Sequence, residues 1–137
     1  MGVEVIEHTA DTGIRVWAPD LSMLFAEAAR GMFSRITDLE QITPLHARKI
    51  SFDGIDETDL LINTLRELLY LFIAESLLIK SFSVESMRNG TATGEIQYEK
   101  YDPEKHDIHK EIKAVTYAGK DIEKTPGGYE ATIIFDV

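Results

Sequence analysis

The chain has 137 residues, 44% of them hydrophobic, with no cysteine and a formal net charge of −10. A chain of about 150 residues buries roughly two-thirds of its unfolded surface, so residues 1–137 are expected to form a single domain around one core. The acidic charge opposes stable direct binding to nucleic acid, and the lack of cysteine excludes disulfides, zinc–thiolate sites and thiol nucleophiles. No signal segment opens the sequence, and its most apolar stretch, residues 68–79, is too short and too charged to span a bilayer, which predicts a soluble cytoplasmic protein without a membrane partner.

The first part of the chain predicts a β-rich start and a helix. Two β-rich runs, residues 3–6 and 13–18, lie on either side of Asp11 and form either a hairpin or one bent strand. Asp20 is suited to cap a helix, because apolar residues then recur at the i, i+3, i+4 spacing as far as Ile36. This is the clearest helical pattern in the sequence.

A strand and a second long helix are expected next. Residues 46–54 have the composition of a strand. The acids within residues 56–59 favour a helix start, since negative charge is stabilised at the positive end of the helix dipole. The leucine-rich stripe that follows, which includes Leu77, predicts a helix to about Leu78, with a broad apolar face packed against a sheet.

The second half of the chain predicts strands. Residues 81–88 and 93–101 flank Asn89-Gly90, a strong signal for a tight hairpin turn. A polar stretch, residues 101–106, is interpreted as a mobile loop, and residues 120–125 as a short strand.

Residues 111–117 alternate in character. The alternation places Ile112, Ala114 and Thr116 on one side and Lys113, Val115 and Tyr117 on the other. The predicted fold class is α+β, a two-layer sandwich in which two long helices pack on one face of a mostly antiparallel sheet.

Two acids at distant positions are candidates for a metal site. Asp11 lies in an Ala-Asp-Thr-Gly sequence, and Asp136 precedes Val137, whose terminal carboxylate is expected beside it. If the first and last strands pair, these oxygens converge on one cation, and hard cations such as Ca²⁺ or Mg²⁺ prefer oxygen ligands. Taken singly, Asp11 also fits a turn-stabilising residue and Asp136 a solvated acid at a strand end.

Other residues offer weaker chemistry. Asp-Thr-Gly is also the catalytic triplet of aspartic proteases, but two strong helices argue against that nearly all-β enzyme. Lys113 either points to solvent or reaches a phosphate or carboxylate, with Asp11 and Asp136 as neighbours that keep it charged. The residues His8, His106 and His109 lack a metal-ligand spacing and are predicted to lie on the surface.

Five segments in order along the chain resemble one family. They are residues 7–14 (EHTADTGI), 24–29 (LFAEAA), 65–71 (LRELLYL), 111–117 (EIKAVTY) and 135–137 (FDV). This ordered set resembles the archease family over essentially the whole chain. The chain departs from the pattern at Ala118, where the family commonly has histidine.

The resemblance carries an expected function. Archeases are not enzymes but assist the GTP-dependent RNA ligase of tRNA splicing, which joins 2′,3′-cyclic-phosphate or 3′-phosphate ends to 5′-hydroxyl ends. They promote guanylylation of the ligase histidine and multiple turnover. The resemblance implies a divalent metal, usually calcium, held by Asp11, Asp136 and Val137, and it assigns the functional lysine to Lys113. It also implies a strand–helix–strand–strand fold with a strand-rich insertion.

Three hypotheses follow for function. In the first, Asp11, Asp136 and Val137 form an acidic tip that orients a cation, or the ligase's own metals or loops, while Lys113 contacts the ligase or a nucleotide phosphate. In the second, the chain is a general protein-binding or chaperone-like adaptor. The third, an independent metal-dependent hydrolase, lacks an evident nucleophile or well-spaced general base.

Overall fold

The computed structural model describes residues 1–7 and 11–137. Its helices are α1 (Leu21–Ile36) and α2 (Glu57–Glu75), and its strands are β1 (Gly2–Glu7), β2 (Asp11–Ala18), β3 (His46–Asp53), β4 (Leu77–Arg88), β5 (Thr91–Lys100), β6 (Ala114–Thr125) and β7 (Gly128–Asp136). The predicted α+β class is confirmed. Neither helix of the described chain is both long enough and apolar enough to cross a bilayer.

The strands form two antiparallel sheets rather than one. Sheet A has the order β1-β2-β7-β6, and sheet B has the order β3-β5-β4. Helix α1 contacts β2 in sheet A and β4 in sheet B, while α2 contacts β6 and β3. Each helix therefore bridges both sheets, and the core is shared between them.

Helix α1 forms as its pattern predicts. The Asp20 carboxylate accepts a hydrogen bond of 2.8 Å from the Met23 N–H, which satisfies one of the free amides of the first turn. The buried face includes Phe33, whose ring meets Phe72 of α2 edge-on with centroids 6.4 Å apart. This contact joins the C-terminal halves of the two helices.

Helix α2 ends at Glu75, three residues before the predicted end near Leu78. Ser76 has the left-handed φ of 60°, and its N–H donates to the carbonyls of Leu71 and Phe72, which closes the last turn. Leu77 and Leu78 begin β4 instead and are buried there. The prediction was wrong because leucine packs equally well in a buried helix and in a buried strand. The pattern of leucines therefore does not show where the helix ends.

The β4–β5 hairpin confirms the Asn-Gly turn. Asn89 and Gly90 have φ values of 53° and 75°, the pair of positive angles that a two-residue type I′ turn requires. Residues 120–125 belong to the same strand as Ala114, so β6 is one long strand rather than two short ones.

The predicted alternation of residues 111–117 is only partly correct, because Val115 and Tyr117 both lie toward α2 but Ile112 is buried as well. Ile112 and Val115 are both buried, whereas Lys113 and Tyr117 are exposed. The period of two fails because β6 begins only at Ala114, so residues 111–113 precede the pleated backbone. Lys113 and Val115 nevertheless line the same cleft beside α2.

Candidate functional site

Asp11 and Asp136 lie opposite each other on neighbouring strands. They are register partners in the antiparallel pair of β2 and β7, and opposed residues in such a pair have Cβ atoms about 5 Å apart. The strand that brings Asp11 to the last strand is β2 rather than β1, which lies at the edge of sheet A. Along β7, Ile133 and Phe135 face the core, so Asp136 lies on the sheet face turned away from the helices.

The backbone of Lys113, just before β6, lies next to Asp136. Ala114 is the register partner of Asp136, and the Lys113 N–H donates a 2.7 Å hydrogen bond to the Asp136 carbonyl. The Lys113 side chain is exposed, and none of the ion pairs among the described residues involves it. It lines clefts beside α2, whereas the two acids occupy the outer sheet face.

The chemistry of the two acids suits a hard cation. Oδ1 of Asp11 is buried and has no hydrogen-bond partner among residues 1–7 and 11–137. A buried carboxylate oxygen without a partner is costly, and two carboxylates directly opposite each other repel. A bound cation would relieve both costs, which is why Asp11 and Asp136 fit one.

The carboxylates alone do not complete a coordination shell. The described residues contain no group of three or more histidine, cysteine, aspartate or glutamate side chains placed to hold one metal ion. Ca²⁺ typically takes 6–8 oxygen ligands. Asp11 and Asp136 would therefore form an open site that needs further oxygens from carbonyls, water or a partner.

Basic residues pair with Glu7 at the end of β1, which the sequence analysis did not anticipate. Arg35, in the last turn of α1, pairs with Glu7 and donates a 3.3 Å hydrogen bond to Oγ1 of Thr12. Lys110 lies 3.7 Å from the same Glu7 carboxylate. These contacts fix the β1–β2 ends against α1 and neutralise Glu7. Nothing local in the sequence predicts them, since the partners are far apart in the chain.

The surface prediction for His106 was wrong. Its side chain is 1% exposed, Nδ1 accepts a 3.0 Å bond from the Asp102 N–H, and Nε2 lies 3.0 Å from Glu99. A backbone N–H can only donate, so Nδ1 carries no proton and Nε2 donates to Glu99. His106 can be buried because these two hydrogen bonds satisfy both ring nitrogens.

Glu99 is the centre of this buried cluster. It also accepts hydrogen bonds from the Thr43 N–H at 2.8 Å and from Lys105 Nζ at 2.7 Å. Burial opposes ionisation of Glu99, but the donors from Lys105, Thr43 and His106 outweigh it and lower its pKa to about 2. The segment predicted to be a mobile loop is thus tied to β5.

His109 and His8 complete the three histidines considered in the sequence analysis. His109 is exposed, as predicted, and its backbone N–H donates a 2.7 Å bond to the Ile36 carbonyl. His8 lies outside the described residues.

Comparisons with known proteins decide the family. The model of the "Archease protein family" matches residues 4–137. The chain belongs to the archease family. The archeases of Methanopyrus kandleri and Methanosarcina mazei are each 36% identical to it, over 98% of the chain and over 98% and 94% of their own lengths.

Solved structures agree with this membership. The solution structure of protein 1598 of Methanobacterium thermoautotrophicum is 30% identical and superimposes with a TM-score of 0.83 over 99% of both chains. The Thermotoga maritima protein named "an archease, possible chaperone" is 19% identical, with a TM-score of 0.65 over 96% of this chain and 94% of its own, and it shows the shared fold. The names of the family and of these relatives mention no catalytic activity.

Proposed function

We propose that this archease activates the GTP-dependent 3′-phosphate RNA ligase of tRNA splicing by presenting a metal-binding acidic tip, composed of Asp11, Asp136 and Val137. The observation that carries the proposal is the direct register pairing of Asp11 with Asp136, together with the buried Oδ1 of Asp11, which has no hydrogen-bond partner in the described part of the chain. The family resemblance supplies the identity of the ligase.

The residues of the tip would act by holding and orienting charge. Asp11 and Asp136 would hold a divalent cation, most simply Ca²⁺, and leave coordination positions for oxygens of the partner. A cation bound there supplies positive charge that neutralises phosphate oxygens during nucleotidyl transfer. The pairing of β2 with β7 fixes both carboxylates before the partner arrives, so little ordering is required on binding.

The charge of the whole chain supports encounter with the ligase. The net charge of −10 favours association with a basic, RNA-binding protein and disfavours direct competition for the RNA. Lys113, which has no ion pair among the described residues, would contact the ligase or a nucleotide phosphate.

The experiment compares Asp11→Asn and Asp136→Asn with wild type in a multiple-turnover RNA ligation assay. Each change removes one charge from the tip while preserving its size, so ligase stimulation should fall at least about tenfold with the fold intact. Asp121→Asn is the matched control, because Asp121 is an exposed acid of the same sheet outside the tip. Full stimulation by a folded Asp11→Asn variant would refute the role of the tip.

Calorimetric titration with CaCl₂ in the absence of ligase separates two versions of the proposal. Binding by wild type and weaker binding by Asp11→Asn indicates that the archease holds the cation itself. If wild type binds no calcium but Asp11→Asn still loses stimulation, the tip acts instead on the ligase's own metals or loops.

A general adaptor is the second candidate, favoured by the name "possible chaperone" of the Thermotoga relative. It predicts that the chain suppresses aggregation of an unrelated unfolding enzyme, measured by light scattering, and that Lys113→Ala changes nothing. Ligase-specific stimulation without such suppression would exclude it.

A further inference from the structure

A cleft lies between the C-terminal part of α2 and the segment that leads into β6. Its volume is about 520 Å³, and one wall is formed by Phe72 and Ile73 of α2. Ile108, Ile112 and Lys113 form the facing wall. The cleft is large enough for a bulky side chain of another molecule.

A second cleft adjoins the first along the same helix. Its volume is about 320 Å³, and its lining includes Leu69, Tyr70 and Val115. Ile73 and Lys113 belong to the walls of both clefts. We call the two together the Lys113 groove.

The groove gathers large apolar side chains that the fold leaves in solvent. Tyr70 is 60% exposed, Ile73 is 59% exposed and Ile108 is 36% exposed. Isolated exposed apolar residues are ordinary, but a contiguous apolar patch beside a proposed functional site is typical of a binding surface. Tyr70 lines the second cleft, and tyrosine is a common energetic anchor of binding surfaces.

The charges around the groove indicate what it would bind. Glu111 lines the first cleft but not the second, so Lys113 is the charged residue that both clefts share. Arg66 is already engaged, because its Nε donates a 3.0 Å bond to the Val115 carbonyl and its guanidinium lies 4.7 Å from the centroid of the Tyr117 ring. Lys113 forms no ion pair among the described residues and sits where the two clefts meet. A complementary ligand therefore carries a carboxylate between two apolar groups.

The groove is connected to the acidic tip through the backbone. The hydrogen bond from the Lys113 N–H to the Asp136 carbonyl ties the residue at the groove's centre to an acid of the tip. A ligand in the groove would lie on the α2 side of the start of β6, while the acidic tip lies on the outer face of the same sheet.

We propose that the Lys113 groove is the docking surface for an acidic, amphipathic segment of the partner protein. Two apolar side chains of that segment fill the two clefts, and a carboxylate between them pairs with Lys113. The proposal rests on the proposed function, which makes the partner the RNA ligase. Docking at the groove then supplies affinity, and the tip supplies stimulation.

The test measures the affinity of the purified ligase for variants of the full chain by calorimetry. Ile73→Glu places a charge between the clefts and should raise Kd at least about tenfold, and Lys113→Glu should do the same. Ile55→Glu is the matched control, because Ile55 is 93% exposed at the opposite end of α2 and should leave Kd unchanged. Circular dichroism verifies that each variant is folded.

The outcomes separate this inference from the proposed function. If wild type binds and stimulates the ligase and Ile73→Glu does so equally well, the groove is not the docking surface although the activator function stands. If wild type neither binds nor stimulates the ligase, the function fails and the docking proposal fails with it.

Sedimentation of the chain alone tests whether a second copy of this chain occupies the groove instead of the ligase. A wild-type dimer that Ile73→Glu converts to monomer would show that a second copy fills the groove, which would overturn the proposal. A wild-type monomer with the predicted loss of ligase affinity in Ile73→Glu supports it.

Discussion

Replacing Glu99 tests whether its buried hydrogen-bond cluster stabilises the fold. The carboxylate accepts from the Thr43 N–H, Lys105 and His106, and its pKa is lowered to about 2 from a usual value of 4.5. A carboxyl group whose folded pKa is depressed stabilises the protein above the unfolded pKa, and this stability is lost as the pH falls toward the folded pKa. The relevant window is therefore between pH 4.5 and 2.

The contribution of Glu99 to the free energy of unfolding follows from the lowering of its pKa. One pKa unit corresponds to about 1.4 kcal/mol, so ionised Glu99 contributes roughly 3 kcal/mol at pH 7 and only about 1 kcal/mol at pH 3. Glu99→Gln keeps one acceptor oxygen but removes the charge, so it should lower the free energy of unfolding by roughly 1–3 kcal/mol at pH 7. Glu99→Ala should cost more, because it leaves the Thr43 N–H and His106 Nε2 without an acceptor.

Urea denaturation followed by circular dichroism measures the free energy of unfolding of each variant at pH 7 and pH 3. The difference in unfolding free energy between wild type and Glu99→Gln should shrink by more than half between the two pH values. Glu104→Gln, at an exposed acid of the loop that follows β5, is the control and should change little at either pH. An equal difference at pH 7 and pH 3 would refute the assigned role of the charge.

Two backbone positions give further predictions. Ser76→Gly should raise the free energy of unfolding by roughly 0.5–1 kcal/mol, because Ser76 has a φ of 60° that glycine adopts without strain. The control Ser83→Gly, in an exposed position of β4, should instead lower the free energy of unfolding. Equal effects of the two changes in urea denaturation would contradict the strain argument. Gly119→Ala should cost roughly 1–3 kcal/mol, because a Cβ there would overlap the Thr132 carbonyl oxygen. Gly127→Ala, where a Cβ meets no atom within 4 Å, should have little effect on the thermal unfolding midpoint, and similar losses for both alanines would contradict the steric explanation.

Local signals predicted the parts of the fold that local chemistry determines. Asp20 caps α1 because an aspartate before an amphipathic run satisfies a free amide, and Asn89-Gly90 turns because both residues tolerate positive φ. The end of α2 was missed because it depends on Ser76, a residue type with no strong preference for the left-handed region. The division of the strands into two sheets depends on long-range pairing, which periodicity does not encode.

The candidate site was predictable to the extent that strand pairing could be assumed. Asp11 and Asp136 were expected to converge if terminal strands paired, and their register confirms that they are neighbours, through β2. The burial of His106 was not predictable, because it requires Glu99 and the Asp102 N–H to meet the ring from two directions. The Lys113 groove was also missed, since its walls come from α2 and a segment that precedes β6.

The pairing of Asp11 with Asp136 would couple global folding to the binding of any ligand that bridges the two carboxylates. These residues are far apart along the chain, so their meeting requires closure of a very long loop, and β7 is hydrogen-bonded to strands on both sides. A ligand that bridges both carboxylates binds only the fully assembled molecule, and by mass action it raises the unfolding temperature of the whole domain. Conversely, a destabilising change in the remote core reduces occupancy of the tip by depleting the assembled population.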